Sequence, residues 1–502
     1  MRLAHVLMGA NIFLPWAWAL TLARGSVIRP QPVSAVATHN LLVVSDLHFG
    51  EELLPGTSLE KRQIVELGAR TFIEFLVYYQ QRRENGRPWR LVVAGDLFDF
   101  MSVIVPGEVA EARRDRDVRL WGASRAGGAA VERMASVAQR HQAVLAQLIA
   151  FANAGNVIDI VVGNHDIELL DPAVATELSR QLLRIAGSRS DGLSRIRIAP
   201  WCVFVPGTVW IEHGHQHDEA CSFEYGFAPT SPAASPAEHA TFLTNVDYAA
   251  VRYLATTAPE LDAHGAEQWS IVGYMRYAYH HGGLRAFARS YVHFVGSLLA
   301  ARRQHQNRRQ REARRAQHQA RLAQVAADVG LSLPTAGALD RLGRAPLTTS
   351  WRRLAAMLSL DVWVVSGAGA LVAILALTLV RWWLAIPLVF GVGAAVYASL
   401  RHLSRTHVAS QLPMRRVPER IAAIANVPLV IFGHTHEPLR MKMPSGATYI
   451  NCGTWLPAAR PGLRRCFTHV RILPNRSPGE TLRADILQWH NGAVRTYDAN
   501  VG

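Results

Sequence analysis

The sequence predicts an α/β protein with a helical insertion that reaches a membrane. Three features carry that expectation. Five apolar, β-branched runs each end in histidine, aspartate or asparagine; about 200 residues separate the fourth ending from the fifth; and that interval holds two long uncharged runs in succession. At 502 residues and 50% hydrophobic composition, the chain is long enough for two or three domains and apolar enough for both a large core and membrane segments.

Residues 1–39 open on "MRLAHVLMGANIFLPWAWALTLARGS". One early arginine, an apolar run and small residues near Ala23 resemble a secretory signal. Pro15, Trp16 and Trp18 are unusual inside such a run, and Arg24 and Arg29 beyond it oppose translocation. The segment reads either as signal-like or as an interfacial or spanning anchor with its C-terminal end in the cytoplasm.

Residues 40–225 contain four of the runs. "LLVVSDLH" ends in Asp46 and His48, "LVVAGDLFD" in Asp96 and Asp99, and "VIDIVVGNHD" in Asn164, His165 and Asp166. "VWIEHGHQHD" ends in His213, His215, His217 and Asp218. Residues 406–502 supply "VIFGHTHEP", where Gly433 ends the run and lets the backbone turn so that His434 and His436 project from it. Ligands in α/β sheets bind outside the carboxyl ends of the strands, so these endings are expected to converge on one pocket. So many imidazoles and carboxylates do not stay buried unpaired, and metal ions account for them economically. Oxygen and nitrogen donors without thiolate suit Mn, Fe, Zn, Ni or Co rather than a cysteine-type structural zinc site. More ligands than one ion needs suggest two metals sharing a carboxylate. Such a pair clamps a phosphoryl group and lowers the pKa of a bound water towards roughly 7.

D-x-H, G-D-x-x-D, G-N-H-D, H-G-H and G-H-T-H, in this order, resemble the motif series of the calcineurin-like metallophosphoesterase superfamily, over roughly residues 40–225 and 425–460. The resemblance implies a four-layer αββα sandwich holding two divalent metal ions. Carried over position by position, it implies Asp46 and His48 on the first metal and Asp96 bridging both. Asn164, His213 and His434 would hold the second, and His436 would return to the first. His165 would be the proton donor to the leaving oxygen, or the stabiliser of transition-state charge, with Asp166 orienting it.

Asp99 reads as a carboxylate that holds a loop or a ligand in place. "HGHQH" offers three imidazoles where the family pattern needs one, and His213, nearest the strand end, is the choice over His215 and His217. Asn451 and Thr454 in "YINCGTW" are taken as structural. "SDLHFGE" and "GDLFDF" look closest to the branch containing the UDP-2,3-diacylglucosamine pyrophosphatases. That branch commonly has arginine where His165 stands, so its substrate does not carry over. The protein serine/threonine phosphatases have arginine where this chain has Phe100.

The insertion, residues 226–350, begins with the Pro, Ser and Ala-rich "APTSPAASPAEHA", a loop or linker. "GYMRYAYHHGGLRAFARSYVHFVGSLLAARR" mixes aromatics, His280, His281 and arginines at helical spacing, as a cap or an interfacial helix would. "ARRQHQNRRQREARRAQHQAR" carries eight arginines against one glutamate and about half of the net charge of +15. It reads as a solvated helix or arm, or as a contact for anionic lipid or nucleic-acid phosphate. Within residues 351–405, an uncharged run of 19 residues (362–380), then "RWW", then an uncharged run of 17 (384–400) predict a transmembrane hairpin. Gly367, Gly369, Gly391 and Gly393 suit close packing of its two helices. Arg352, Arg353, Arg401, Arg405, Arg415 and Arg416 flank it, placing both ends, and with them the catalytic domain, on the cytoplasmic side.

Cys202, Cys221, Cys452 and Cys466 form no C-x-x-C pair and read as small buried side chains. The expected activity is hydrolysis of a phosphomonoester, phosphodiester or pyrophosphate by metal-activated hydroxide, with a lipid-linked phosphorylated substrate as the first expectation. A nucleotide or nucleic-acid phosphodiesterase is the alternative, and a non-catalytic membrane scaffold the third reading.

Overall fold

The computed structural model describes residues 39–105, 124–187, 191–231, 240–257, 271–357, 360–408, 416–457, 466–473 and 483–497. The N-terminal segment read as an anchor or signal, residues 1–38, lies outside them, as does most of the Pro/Ser-rich linker.

The strands are β1 (Asn40–Val44), β2 (Trp89–Ala94), β3 (Val157–Val161), β4 (Ile196–Ala199), β5 (Cys202–Val205), β6 (Val209–Glu212), β7 (Thr230–Ser231), β8 (Thr241–Phe242), β9 (Leu429–Phe432), β10 (Leu439–Lys442), β11 (Thr448–Asn451), β12 (Thr468–Leu473), β13 (Arg483–His490) and β14 (Ala493–Thr496). The helices are α1 (Leu59–Gln81), α2 (Gly127–Arg140), α3 (Gln142–Asn153), α4 (Pro172–Ala186), α5 (Val246–Thr257), α6 (Ile271–Arg303), α7 (Arg308–Asp328), α8 (Leu333–Asp340), α9 (Trp351–Met357), α10 (Leu360–Leu379), α11 (Trp382–Val408) and α12 (Val417–Ala425).

This is a mixed α/β protein. A seven-stranded sheet runs β14-β13-β12-β1-β2-β3-β4 and a five-stranded sheet runs β10-β11-β9-β6-β5. Strands from both sides of the insertion complete each sheet: β9 pairs in parallel with β6, and β12 pairs antiparallel with β1. The long excursion between them therefore leaves the sheets intact.

Side-chain alternation explains why the strands read as continuous apolar runs. Leu41, Val43, Val92 and Ala94 of the larger sheet share one core cluster with Val209, Ile211, Leu429 and Ile431 of the smaller. Their neighbours Leu42, Val44, Leu91 and Val93 face the opposite way, onto Phe72, Val137, Leu148 and Leu178 of α1 to α4. On the smaller sheet Trp210, Val430 and Phe432 meet Leu322, Leu339 and Ile421 of α7, α8 and α12. Strands buried on both faces are largely apolar, so polar residues gather at their ends, apart from the buried ion pair of Arg90 on β2 and Asp159 on β3.

The Arg-rich stretch is not a free arm. One stripe of α7, comprising Arg314, His318, Leu322, Val325 and Ala326, is buried, and Arg314 donates from Nη2 to the Gln304 carbonyl at 3.1 Å. Arg308, Arg309, Arg311 and Arg315 are exposed, which leaves the helix basic on one side and docked on the other. The aromatic stretch before it is helix α6, interrupted at Gly283, and His280 is exposed. Cys202, Cys221 and Cys452 are buried as expected, while Cys466 is half-buried.

Helices α10 and α11 form an antiparallel hairpin, and a Cβ at Gly369 would lie 2.5 Å from Cγ2 of Val396. Gly369 is thus a point of close approach, whereas a Cβ at Gly367, Gly391 or Gly393 meets nothing within 4 Å. The packing role expected for those three glycines is corrected accordingly. Among the described residues no single helix is long and apolar enough to cross a membrane; Val365–Leu379 and Trp383–Ser399 are shorter apolar stretches.

His469 on β12 gives the core a pH-dependent element. It is fully buried, and its Nε2 lies 2.9 Å from the Tyr79 hydroxyl. Burial, with Arg471 adding to it, pushes its pKa down to about 3. The unfolded chain takes up this proton near the usual histidine value and the folded chain does not, so the contribution of His469 to stability falls as pH drops from about 6.5 towards 3. The His469→Asn variant should lose about one proton of uptake per unfolding event between pH 4 and 6, read from denaturant midpoints across that range.

Candidate metal centre

β1, β2 and β3 run parallel in one sheet, and β6 and β9 run parallel in the other. Their carboxyl ends deliver the predicted residues to one place. Asp46, His48, Asp96, His213 and Asn164 are buried there, and His434 and His436 are partly accessible. The backbone marks the spot: Asp46, His48, Asp96, His434 and His436 all have positive φ, from 50° to 71°. Left-handed backbone is costly for residues with a Cβ and gathers where function demands it.

Two groups of ligand atoms share Asp46. Asp46, His48 and His436 form one, and Asp46, Asp96 and His213 the other, with the ligand atoms of each within 4.8 Å of one another. Nε2 of His436 lies 3.2 Å from Oδ1 of Asp46 and 3.3 Å from Nε2 of His48. Oδ2 of Asp96 stands 3.2 Å from Nε2 of His213 and 3.8 Å from Nε2 of His48, between the two groups. Asn164 presents Oδ1 to Nε2 of His213 at 2.9 Å.

His213 gathers acceptors around one point. Its Nδ1 donates to the Ala94 carbonyl at 2.9 Å, so in the neutral ring Nε2 is a bare acceptor. That nitrogen faces two more acceptors, Oδ1 of Asn164 and Oδ2 of Asp96. The orientation of Asn164 is settled by its Nδ2, which donates to Asp247 at 2.8 Å. Three acceptors pointed at one spot require a proton or a cation there. The electrostatics agree: burial pushes Asp96 up, but His213 and His165 overcome it and hold the carboxyl well below its usual range. Burial pushes His213 down, but Asp96 raises it to about 9.

No protein-family model matches this chain, and no curated protein matches it.

His165 stands beside the ligands, its ring edge-on to His48 with centroids 4.6 Å apart. Its Nδ1 lies 3.1 Å from Oδ1 of Asp99 and its Nε2 3.5 Å from Oδ2 of Asp247. Burial opposes the charged ring, but Asp99 and Asp96 hold its pKa well above the usual value. The carboxylate on the ring is therefore Asp99, held in turn by the Ser102 hydroxyl at 2.7 Å, and not Asp166, the residue expected to orient it. Asp166 instead accepts backbone N–H groups from Gly163 at 2.7 Å and Leu97 at 2.9 Å. It ties the β2 and β3 loops together, and burial pushes its pKa up to about 7.

His434 donates its backbone N–H to Oδ2 of Asp46 at 3.1 Å, while its Nε2 faces Asp218 at 3.3 Å. The ring sits 5.2 Å from that of His213, on the rim of the second group rather than within it. His217 is committed to Glu212 at 2.7 Å and stacks on Phe432, and His215 lies behind His213. Asn451 and Thr454 brace the turns: Asn451 donates to the Gly433 carbonyl, and Thr454 donates to the Asp46 carbonyl at 3.0 Å. Asp247 was not foreseen. It lies on α5 of the insertion, which is moored to the site by Arg252 donating to the Met101 carbonyl at 2.7 Å.

The centre tolerates little added bulk. A Cβ at Gly163 would collide with the Asp96 carboxylate and come within 2.7 Å of the Asp96 backbone nitrogen. The Gly163→Ala variant should lose stability by about 1–3 kcal/mol and bind less metal, measured by thermal melting and elemental analysis.

Proposed function

We propose that the chain is a binuclear metal-dependent phosphoesterase of the calcineurin-like kind, built as an αββα sandwich. The single observation that carries the reading is His213 Nε2, which shares one point in space with two further acceptors, Asn164 and Asp96. The donor set fits two divalent cations: Asp46, His48, His436 and Asp96 for one, and Asp96, Asn164, His213 and, from the rim, His434 for the other. Two cations bound there supply Lewis acidity towards a phosphoryl oxygen and lower the pKa of water.

The remaining work falls to the protein's own groups. Asp99 keeps the His165 ring oriented and protonated, and Nε2 carries the proton towards a leaving oxygen. Asp247 fixes the Asn164 amide so that its oxygen, not its nitrogen, meets the cluster.

The hairpin supports membrane attachment. Leu377 is 61% exposed, Leu379 78% and Phe390 76%, surfaces that water disfavours and acyl chains accept. The full-length protein is expected to stay with the membrane fraction through alkaline carbonate extraction; release into the supernatant would refute insertion.

The reaction is tested by turnover of chromogenic phosphomonoesters and phosphodiesters by the detergent-purified chain with Mn, Zn, Fe, Ni, Co or Mg. Metal-dependent hydrolysis is expected. Two bound ions without hydrolysis of any phosphoester or pyrophosphate would overturn the reaction, and no bound metal would overturn the centre.

A further inference from the structure

His165 has a carboxylate beside each ring nitrogen. Nδ1 lies 3.1 Å from Oδ1 of Asp99, and Nε2 lies 3.5 Å from Oδ2 of Asp247. Asp99 follows β2, whereas Asp247 comes from the insertion, in the first turn of α5. That turn is fixed in place. Asn245 caps it, its Oδ1 accepting the Tyr248 N–H at 2.8 Å and its Nδ2 donating to the Cys221 carbonyl at 2.6 Å. The Asp247 N–H donates to the Ala220 carbonyl at 3.2 Å. The Asp247 side chain is 15% exposed, and its Oδ2 also accepts from Nδ2 of Asn164 at 2.8 Å. Among the described residues, His165 is the one cation within ion-pair distance of this carboxylate.

We propose that Asp247 selects the substrate by the charge of its leaving group: phosphoesters of uncharged or ammonium-bearing alcohols are accepted, and substrates with an anionic leaving group, pyrophosphates included, are rejected. The inference rests on the phosphoesterase reading and narrows its substrate class. Geometry bounds the distance. A leaving oxygen that takes the proton from Nε2 lies within about 3 Å of it, and hence at most about 7 Å from Oδ2 of Asp247. That is inside the screening length of about 8 Å at physiological salt, and the carboxylate is mostly shielded from water besides. As the P–O bond breaks, the proton on Nε2 passes to the leaving oxygen and the ring becomes neutral. Asp247 then loses its one ion-pair partner among the described residues at the moment when charge reaches the leaving group. Sites that hold anionic groups place arginine or lysine against them, whereas a carboxylate in that position repels them.

The test compares kcat/KM of the detergent-purified full chain for phenyl, 3-carboxyphenyl and 3-(aminomethyl)phenyl phosphate, and for inorganic pyrophosphate. The aryl substrates are used as monoesters or as their methyl diesters, whichever class the chromogenic assay shows the chain to hydrolyse. The carboxylated ester and pyrophosphate should each fall about tenfold or more below the phenyl ester, and the aminomethyl ester should equal or exceed it. Asp247→Asn keeps an oxygen for the Asn164 amide but removes the charge. It should retain the metal stoichiometry and melting temperature of the parent and bring the three aryl esters to within about threefold of one another. Metal-dependent hydrolysis that is indifferent to leaving-group charge, or a preference that Asp247→Asn leaves unchanged, would overturn the role of Asp247 and leave the phosphoesterase reading standing. Pyrophosphate turned over as well as the phenyl ester would do the same. Absence of metal-dependent hydrolysis of every substrate would overturn the phosphoesterase reading and the selection with it.

Discussion

Asp96→Ala is expected to strip the protein of bound divalent metal and to reduce phosphoester hydrolysis by on the order of 10³-fold or more. Its carboxylate stands with Asp46 between the two halves of the centre, with Oδ2 3.2 Å from His213 and 3.8 Å from His48. Oδ1 accepts the His165 backbone N–H at 2.9 Å, so the same side chain also seats the loop that carries His165. The backbone carbonyl of Asp96 accepts from Leu47 and His48 at 2.9 and 3.0 Å, contacts that alanine retains. The fold should therefore survive the substitution while the centre does not. Asp96→Asn separates charge from shape, since the amide keeps an oxygen for His165 but is a weak bridging ligand. One ion retained in place of two is the expected result by elemental analysis. Two ions in both variants would refute the bridging role.

The strand ends were legible because both sheets bury their strands on two faces. An apolar run such as Leu429–Phe432 has no polar side chain until His434, so the first polar side chains after it mark the end of the strand. His213 stood apart from His215 and His217 for the same reason: it directly follows Glu212, the last residue of β6. Residue type and spacing do not, however, reveal which way a side chain turns within a loop. Asp99 and Asp166 both follow strand ends, yet one meets the His165 ring and the other meets backbone amides.

The insertion was less legible. Asp247 belongs to no motif, because it reaches the site through the packing of α5 against Met101 and Leu298 rather than along a strand. The docked face of α7 was hidden because two of the five residues in its buried stripe are polar, with Arg314 and His318 leading into Leu322 and Val325. A composition reading weighs the arginines and misses the i, i+4 order that turns them inward. What remains visible along the chain is therefore chemistry carried by local order, and what is lost is chemistry assembled across it.

His165→Asn should leave both metals bound and lower kcat by about 10²–10⁴-fold, the range over which a positioned proton donor acts. The ring packs edge-on against His48, but its nitrogens go to Asp99 at 3.1 Å and towards Asp247 at 3.5 Å. Its backbone N–H to Asp96 persists in the variant, which keeps the Asp96 carboxylate in place. Metal loss equal to that of Asp96→Ala would contradict the division of roles. The leaving group supplies a second readout that a purely structural role would not move. A nitrophenolate departs without help, whereas an alkoxide needs a proton, so the penalty for His165→Asn should be larger for alkyl than for nitrophenyl esters. Asp99→Asn acts one step further back, through the orientation and charge of the imidazole, and should cost about 10–100-fold with the same leaving-group trend. Equal penalties across leaving groups would assign His165 to binding of the phosphoryl group instead of to proton transfer. In that case the carboxylates on either side of it serve to hold a positive charge near the phosphoryl oxygens.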